Sequence, residues 1–168
     1  MAAYTVNTYQ PTDRAGLNQA IGTASDVKLH PLGDRVCARD VSGTRGEGEF
    51  IYLQGVANTG AGSIVLIKDD WSTSLVAARD KGALAAATAA IGANQFGWYQ
   101  IKGQAMIKSA AAVAANAPLY IAAAGEVLDD LAVAGDQVIG ARSVTAQDTA
   151  TLICNFACNP ATADFDNA

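Results

Sequence analysis

Nucleophilic catalysis requires a base within hydrogen-bonding reach of a serine or cysteine, and the sequence holds one histidine, His30, in the phrase LHPL. No G-x-S-x-G elbow is present, and nothing in the sequence joins His30 to Cys37 or to a particular serine. His30 therefore reads as a structural or surface residue. For metal, Cys154 and Cys158 supply two ligands on a strand leaving the core, where tetrahedral zinc wants four. The carboxylate pairs Asp69-Asp70 and Asp129-Asp130 are adjacent in sequence, so their side chains diverge on a strand, and no D-x-D-x-D-G loop surrounds them. They read as solvated turn carboxylates. The glycine-rich phrase GTRGEGE lacks the lysine and Ser/Thr of a phosphate loop, and GAGS leads into a strand with no helix N-terminus to meet a pyrophosphate. Trp98, Tyr99 and Lys102 could form a stacking platform for single-stranded nucleic acid or sugar, although aromatic residues on such a strand usually belong to the core. Neither a cofactor nor a metal is expected.

The elements that would position these residues are strands. In FGWYQIKG, Phe96, Trp98, Gln100 and Lys102 point one way and Gly97, Tyr99, Ile101 and Gly103 the other, with Gly103 a bend or bulge before QAMIKS. The phrase EFIYLQGVANTGAGSIVLIKDD reads as a hairpin: one strand, a five-residue turn Asn58–Gly62, and a second strand Ser63–Lys68. STSLVAARD supplies another short strand. KGALAAATAAIGAN is ambiguous, because alanine favours helix while Gly82 and Gly92 bracket only about ten residues, a marginal helix length. Helix and strand both stay open for Ala83–Ile91, with the balance on an extended small-residue strand. Strands at PLYIAAAGEVLDD, with a turn at Gly125-Glu126, and at DQVIGARSVTA and TATLICNFAC complete an all-β pattern, a small barrel or a sandwich.

The chain has 168 residues, of which 51% are hydrophobic and 16% charged, with much of the apolar share being alanine. That suits one domain whose bland surface meets protein. A net charge of −5 opposes binding to phosphate backbones, so nucleic acid is a poor partner. No secretory succession opens the sequence and no apolar window is long enough to span a bilayer, so a soluble product with no membrane partner is expected. Cys37, Cys154 and Cys158 are an odd set without a CxxC pair and read as reduced, packed thiols. Residues 1–23 carry Tyr4, Val6, Tyr9 and Pro11 among polar side chains and read as an arm that orders on contact. Residues 24–157 form the β-domain, the cluster Gly43, Gly46 and Gly48 marks a mobile loop, and residues 158–168 are a loose tail.

The phrases FGWYQIKGQAMIKS, NAPLYIAAAGEVLDD and GDQVIGARSV resemble the capsid decoration (cement) and head-stabilising proteins of tailed bacteriophages, a resemblance that covers roughly Glu49 to Phe156. The resemblance implies a β-tulip-like barrel or sandwich with an extended N-terminal arm. It also implies a non-enzymatic virion protein, made in the host cytoplasm, that binds the outer surface of the major capsid protein as a homo-trimer. Its capsid contacts would come from Tyr4, Val6, Tyr9 and Pro11 of the arm and from Arg45 of the glycine loop. The chain departs from the simplest members in its Ala-rich segments and in that loop. Two other readings compete. One is a carbohydrate- or receptor-binding module of a phage tail, stacking ligand on Trp98, Tyr99 and Tyr120. The other is a small hydrolase using a carboxylate pair.

Overall fold

The computed structural model describes residues 9–11, 17–109, 112–122, 127–146, 152–156 and 162–163, with the backbone alone at 9–11, 152–156 and 162–163. In chain order the strands are β1 (Tyr9–Pro11), β2 (Ala24–Ser25), β3 (Arg35–Asp40), β4 (Glu47–Gln54), β5 (Ile64–Ile67), β6 (Thr73–Leu75) and β7 (Leu84–Ala87). They continue as β8 (Phe96–Ile107), β9 (Pro118–Ile121), β10 (Leu128–Asp129), β11 (Gln137–Ser143), β12 (Leu152–Phe156) and β13 (Thr162–Ala163). The described residues contain no helix, and the fold is all-β.

Strand β8 organises the rest. Its first half lies between β4 and β7, and its second half pairs with β12. The change of partner occurs at a bulge. Phe50 faces Gln100 and Glu49 faces Lys102, so Ile101 has no opposite number, and Gly103 follows at φ +93°. A Cβ on Gly103 would stand 2.4 Å from the Glu47 carbonyl oxygen, so both the backbone angle and the close approach of β4 require glycine. The bend expected at Gly103 is present.

Alternation along the strands sorts the apolar side chains into three buried clusters. Trp98 joins Phe50, Tyr52, Val36, Ala38 and Ile21 on one face of the β3–β4–β8 layer. Tyr99 and Ile101 join Ile51 and Leu53 on the other face, where they meet Val65, Ala85 and Ala87 from β5 and β7. The opposite faces of β5 and β7 place Ile64, Leu84 and Ala86 against Ala105 and Ile107 of β8 and against Leu119, Ile121 and Val138 of β9 and β11. The result is a layered, sandwich-like arrangement of antiparallel strands. Single bridges, Gln54 to Ser72 and Ser109 to Leu128, link the strand ends, but among the described residues no ladder closes the sheet into a barrel.

The same layering settles the alanine run. All four residues of β7 are buried, with a cluster on each face. Alanine's helix preference is worth less than about 1 kcal/mol per residue and falls to the packing of a thin strand between two layers.

Several expectations need correction. The two halves of the expected Glu49–Lys68 hairpin are strands but do not pair. β4 lies between β3 and β8, while β5 pairs with β6 and β7. Their connection binds different neighbours at its two ends, with Gly55 N–H donating to Gln95 O at 2.8 Å and Gly62 N–H to Ala87 O at 2.7 Å. The hairpin that forms is β5–β6, turned by Lys68–Ser72. The boundary of the arm at residue 23 also moves, because Leu17 and Ile21 pack in the Trp98 cluster and β1 pairs along β3. In the expected loose tail, β13 pairs with Val138 and Ile139 of β11. The turn expected at Gly125-Glu126 lies outside the described residues.

Candidate functional site

The residues most able to do chemistry are spent on the fold. The His30 ring sits 5.1 Å from Tyr52 and 5.0 Å from Trp98, and its Nδ1 lies 3.8 Å from Asp34 Oδ2. It wedges the 26–34 loop onto the Trp98 cluster. Val36 and Ala38 point into that cluster, so Cys37, between them on β3, points to the opposite face and is exposed. His30 and Cys37 are therefore not a pair. The expectation of a packed Cys37 is corrected by the same alternation; the side chains of Cys154 and Cys158 lie outside the described residues.

Trp98 and Tyr99 form no stacking platform, in keeping with the reading of aromatic residues on such a strand as core. Trp98 and Tyr99 are completely buried on opposite faces of β8. The Trp98 indole N–H donates to Gln19 O at 3.0 Å. The Tyr99 hydroxyl lies beside Thr73, whose own hydroxyl donates to Gln54 O, and it closes no hydrogen bond of good geometry. Burial pushes its pKa well up. Lys102 is exposed and Tyr120 is half-buried. The glycan-stacking reading thus loses two of its three aromatic residues to the core.

The two carboxylate pairs do not both sit in solvated turns. Asp69 and Asp70 are exposed, and Asp70 Oδ1 accepts from Ser72 N–H at 3.0 Å and Ser72 hydroxyl at 2.6 Å, which holds its pKa below the usual range. Asp129 is buried instead, accepting from Leu131 N–H at 3.1 Å, and Asp130 accepts from Ala114 N–H at 2.8 Å. Burial, the largest influence, raises the Asp129 pKa; the Leu131 N–H opposes it and the nearby Asp130 adds to it. These carboxylates secure backbone. Among the described residues no group of three or more His, Cys, Asp or Glu could hold a metal ion.

Tertiary structure assembles one arrangement that sequence reasoning missed. Lys108 Nζ donates to Ser63 Oγ at 3.0 Å, and Gly60 N–H donates to the same oxygen at 3.1 Å. A serine–lysine pair is a nucleophile–base combination on other folds. Here Ser63 is fully buried, and its oxygen is engaged by two donors from the turn and from β8's end, so the pair closes the 60–63 turn. The partners are 45 residues apart and carry no local signal.

Arg45, expected as an outward contact, is buried. Its Nε lies 3.2 Å from Asp40 Oδ2, and the same carboxylate accepts from Ser42 N–H and hydroxyl, from Thr44 hydroxyl and from Arg45 N–H. One carboxylate thus holds Ser42, Thr44 and Arg45 of the glycine loop. Tyr9 and Pro11 are placed along β3 as backbone, opposite Asp40 and Ala38; Tyr4 and Val6 lie outside the described residues.

Several charged and aromatic side chains face outward. Arg35, Cys37 and Arg39 form the exposed row of β3. Arg35 pairs with Glu49 at 3.3 Å and Arg39 with Glu47 at 3.5 Å, so this face is nearly self-neutralised. Trp71, at the β5–β6 turn, is an exposed aromatic residue: it has φ +63°, lies 40% exposed and spreads over Gly33, where a Cβ would stand 2.7 Å from its ring. Among the described residues no helix is long and apolar enough to cross a membrane. Compared with known proteins, the chain matches no protein-family model and no curated sequence.

Proposed function

We propose that this protein is a structural component of a tailed-phage virion that binds the outer surface of the major capsid protein lattice and stabilises the head. The observation that carries the reading is a stiff, layered β-body in which His30, Ser63, Lys108, Trp98 and Tyr99 are each committed to packing or to holding a turn. Such a body suits a partner surface better than a reaction. The N-terminal segment supports it as well. β1 makes a short, three-residue pairing on the edge of β3, a geometry in which main-chain bonds hold an otherwise polar segment.

A ligand that binds the assembled lattice, and not its broken form, stabilises the lattice by mass action. Many copies need only modest affinity each when the sites repeat over a shell. Neither nucleic acid nor a cofactor enters this reading. Co-sedimentation with assembled capsids tests it: the protein should pellet with intact shells, saturate at a fixed ratio to the capsid subunit, and raise the temperature at which shells release their contents. Failure to pellet with intact shells of its own phage would end the proposal.

A further inference from the structure

We infer that His30 is a proton-operated clasp: its imidazolium form holds residues 26–30 against the Trp98 cluster, and loss of the proton loosens that half of the loop. The 26–34 loop is fastened in two ways. Its second half is bound by backbone, with Gly33 N–H donating to Tyr52 O and Tyr52 N–H to Asp34 O, each at 2.8 Å, and Asp34 N–H closing a turn onto Pro31 O at 3.2 Å. Its first half is held through side chains. Leu29 N–H donates to the Tyr52 hydroxyl at 3.2 Å, the Gln95 amide donates to Asp26 Oδ1 at 2.9 Å, and the His30 ring lies against Tyr52 and Trp98. Val27 and Leu29 face solvent, at 64% and 39% exposure, so apolar burial adds little to holding this half. The contacts of His30 then decide how firmly it is held.

The groups that face His30 favour its charge. From its own loop comes the Asp34 carboxylate: Oδ1 accepts from Arg35 N–H at 3.1 Å, and Oδ2 lies 3.8 Å from His30 Nδ1. An opposite charge at such a distance favours the ionised imidazole. From β4 comes Tyr52 and from β8 Trp98, both uncharged near neutral pH. Their ring centroids, 5.1 and 5.0 Å away, lie within the range of about 6 Å over which an aromatic quadrupole attracts a cation. Gln19, which accepts the Tyr52 hydroxyl, is neutral, and the loop's other charged side chains, Asp26 and Lys28, are exposed. Burial opposes the charge, but the His30 side chain keeps 9% exposure and is not sealed from water. One carboxylate and two aromatic rings outweigh that opposition.

Histidine is the side chain whose proton is exchanged near neutral pH. The closed loop surrounds the imidazolium with groups that favour it, and the opened loop returns it to water. The closed form therefore binds the proton more tightly, so acid closes the clasp and its hold is lost as pH rises through the histidine range. One proton thus sets whether Val27 and Leu29 are presented on a fixed loop or a loose one. The clasp belongs to the β-body alone and stands whether or not the protein binds a capsid.

Amide hydrogen exchange by NMR on the full chain, between about pH 5.5 and 7.5 and corrected for the intrinsic pH dependence of exchange, tests it through the Leu29 N–H. Leu29 protection should fall by roughly tenfold from the lower pH to the higher. Its midpoint should match the titration of the His30 ring, whose signals are unambiguous because the chain has one histidine. His30→Gln keeps a planar polar side chain without the titrating proton, so Leu29 protection should be low and level across the range. Asp34→Asn keeps an oxygen for the Arg35 N–H and should shrink the step. If His30→Gln misfolds, the wild type and Asp34→Asn decide. Level wild-type protection, protection that rises with pH, a midpoint apart from that of the His30 ring, or a full step surviving in either variant overturns the inference.

Discussion

The indole N–H of Trp98 donates to the backbone carbonyl of Gln19 at 3.0 Å, across 79 positions of sequence. Gln19 also accepts the Tyr52 hydroxyl at 2.6 Å and donates its amide to Thr23 O and Phe96 O, each at 2.9 Å. One buried polar side chain thereby fastens the segment before β2 to the central strand. It also places residues 17–23, expected as the end of an arm, against the core.

A chain beginning at Leu17 should keep most of the wild-type melting temperature, and one beginning at Ala24 should not. The second loses Ile21, whose truncation to Ala alone should cost about 2–5 kcal/mol, and leaves the Trp98 N–H without its acceptor, worth a further ~1–3 kcal/mol. Thermal melts of the two truncations decide this. Equal melting would return residues 17–23 to the role of a dispensable arm.

Arg45→Ala should register as a loss of stability and not as a specific loss of partner binding. Removing one member of the buried Asp40–Arg45 pair leaves the other's charge uncompensated, a change on the order of 3–5 kcal/mol. Asp40→Ala should cost at least as much, because the carboxylate also holds Ser42 and Thr44. Chemical denaturation measures both; a variant of native stability would mean the loop is not held by this carboxylate.

Tyr52→Phe and Tyr99→Phe should act in opposite directions. The Tyr52 hydroxyl donates to Gln19 and accepts from Leu29 N–H, so its removal should destabilise by about 1–3 kcal/mol. The Tyr99 hydroxyl is buried without a well-formed bond, so its removal should be neutral or stabilising. Burial raises both phenols, with the Leu29 N–H pulling Tyr52 the other way and Thr73 doing so for Tyr99. The unfolded chain then releases these protons first. Their contribution is intact below the ordinary tyrosine pKa and is lost as pH rises through the folded values, so stability should fall on the alkaline side of about pH 10. Tyr99→Phe should flatten that decline, and an unchanged alkaline slope would contradict it.

Asp129→Asn should melt at or above the wild-type temperature at pH 7. The folded pKa is raised, chiefly by burial, so the protonated form contributes stability below the ordinary aspartate range, and that contribution is lost as pH rises through the folded value. Asparagine keeps an oxygen for the Leu131 N–H without the charge. Melting temperature against pH from 3 to 7 should therefore fall less steeply in the variant than in the wild type. A steeper fall, or a large loss at pH 7, would mean that the ionised carboxylate itself supports the loop.

Much of the local structure was readable in the sequence. The alternation in FGWYQIKG placed Trp98 and Tyr99 on opposite faces, and Gly103 marked the bend, because a strand's period of two depends only on neighbouring residues. The β-character of the chain and the aromatic core of β8 followed from the same local rule. The alanine run could not be settled locally, since its strand form depends on having a packed layer on each face.

Partner choice was decided only by tertiary structure. β4 and β5 look like two halves of a hairpin, yet β8 and β7 lie between them, because strands with two apolar faces need covering layers that a single turn cannot provide. The groups that might have formed a site behave the same way. Ser63 meets Lys108, Asp136 meets Arg79, and Gln19 meets Trp98, each pair far apart in sequence. Arg45 looked like an exposed loop cation because nothing nearby in sequence reveals that Asp40 is buried behind it; burial belongs to the assembled layers. Periodicity tells which side of a strand a residue occupies, and only the long-range packing decides what waits on that side.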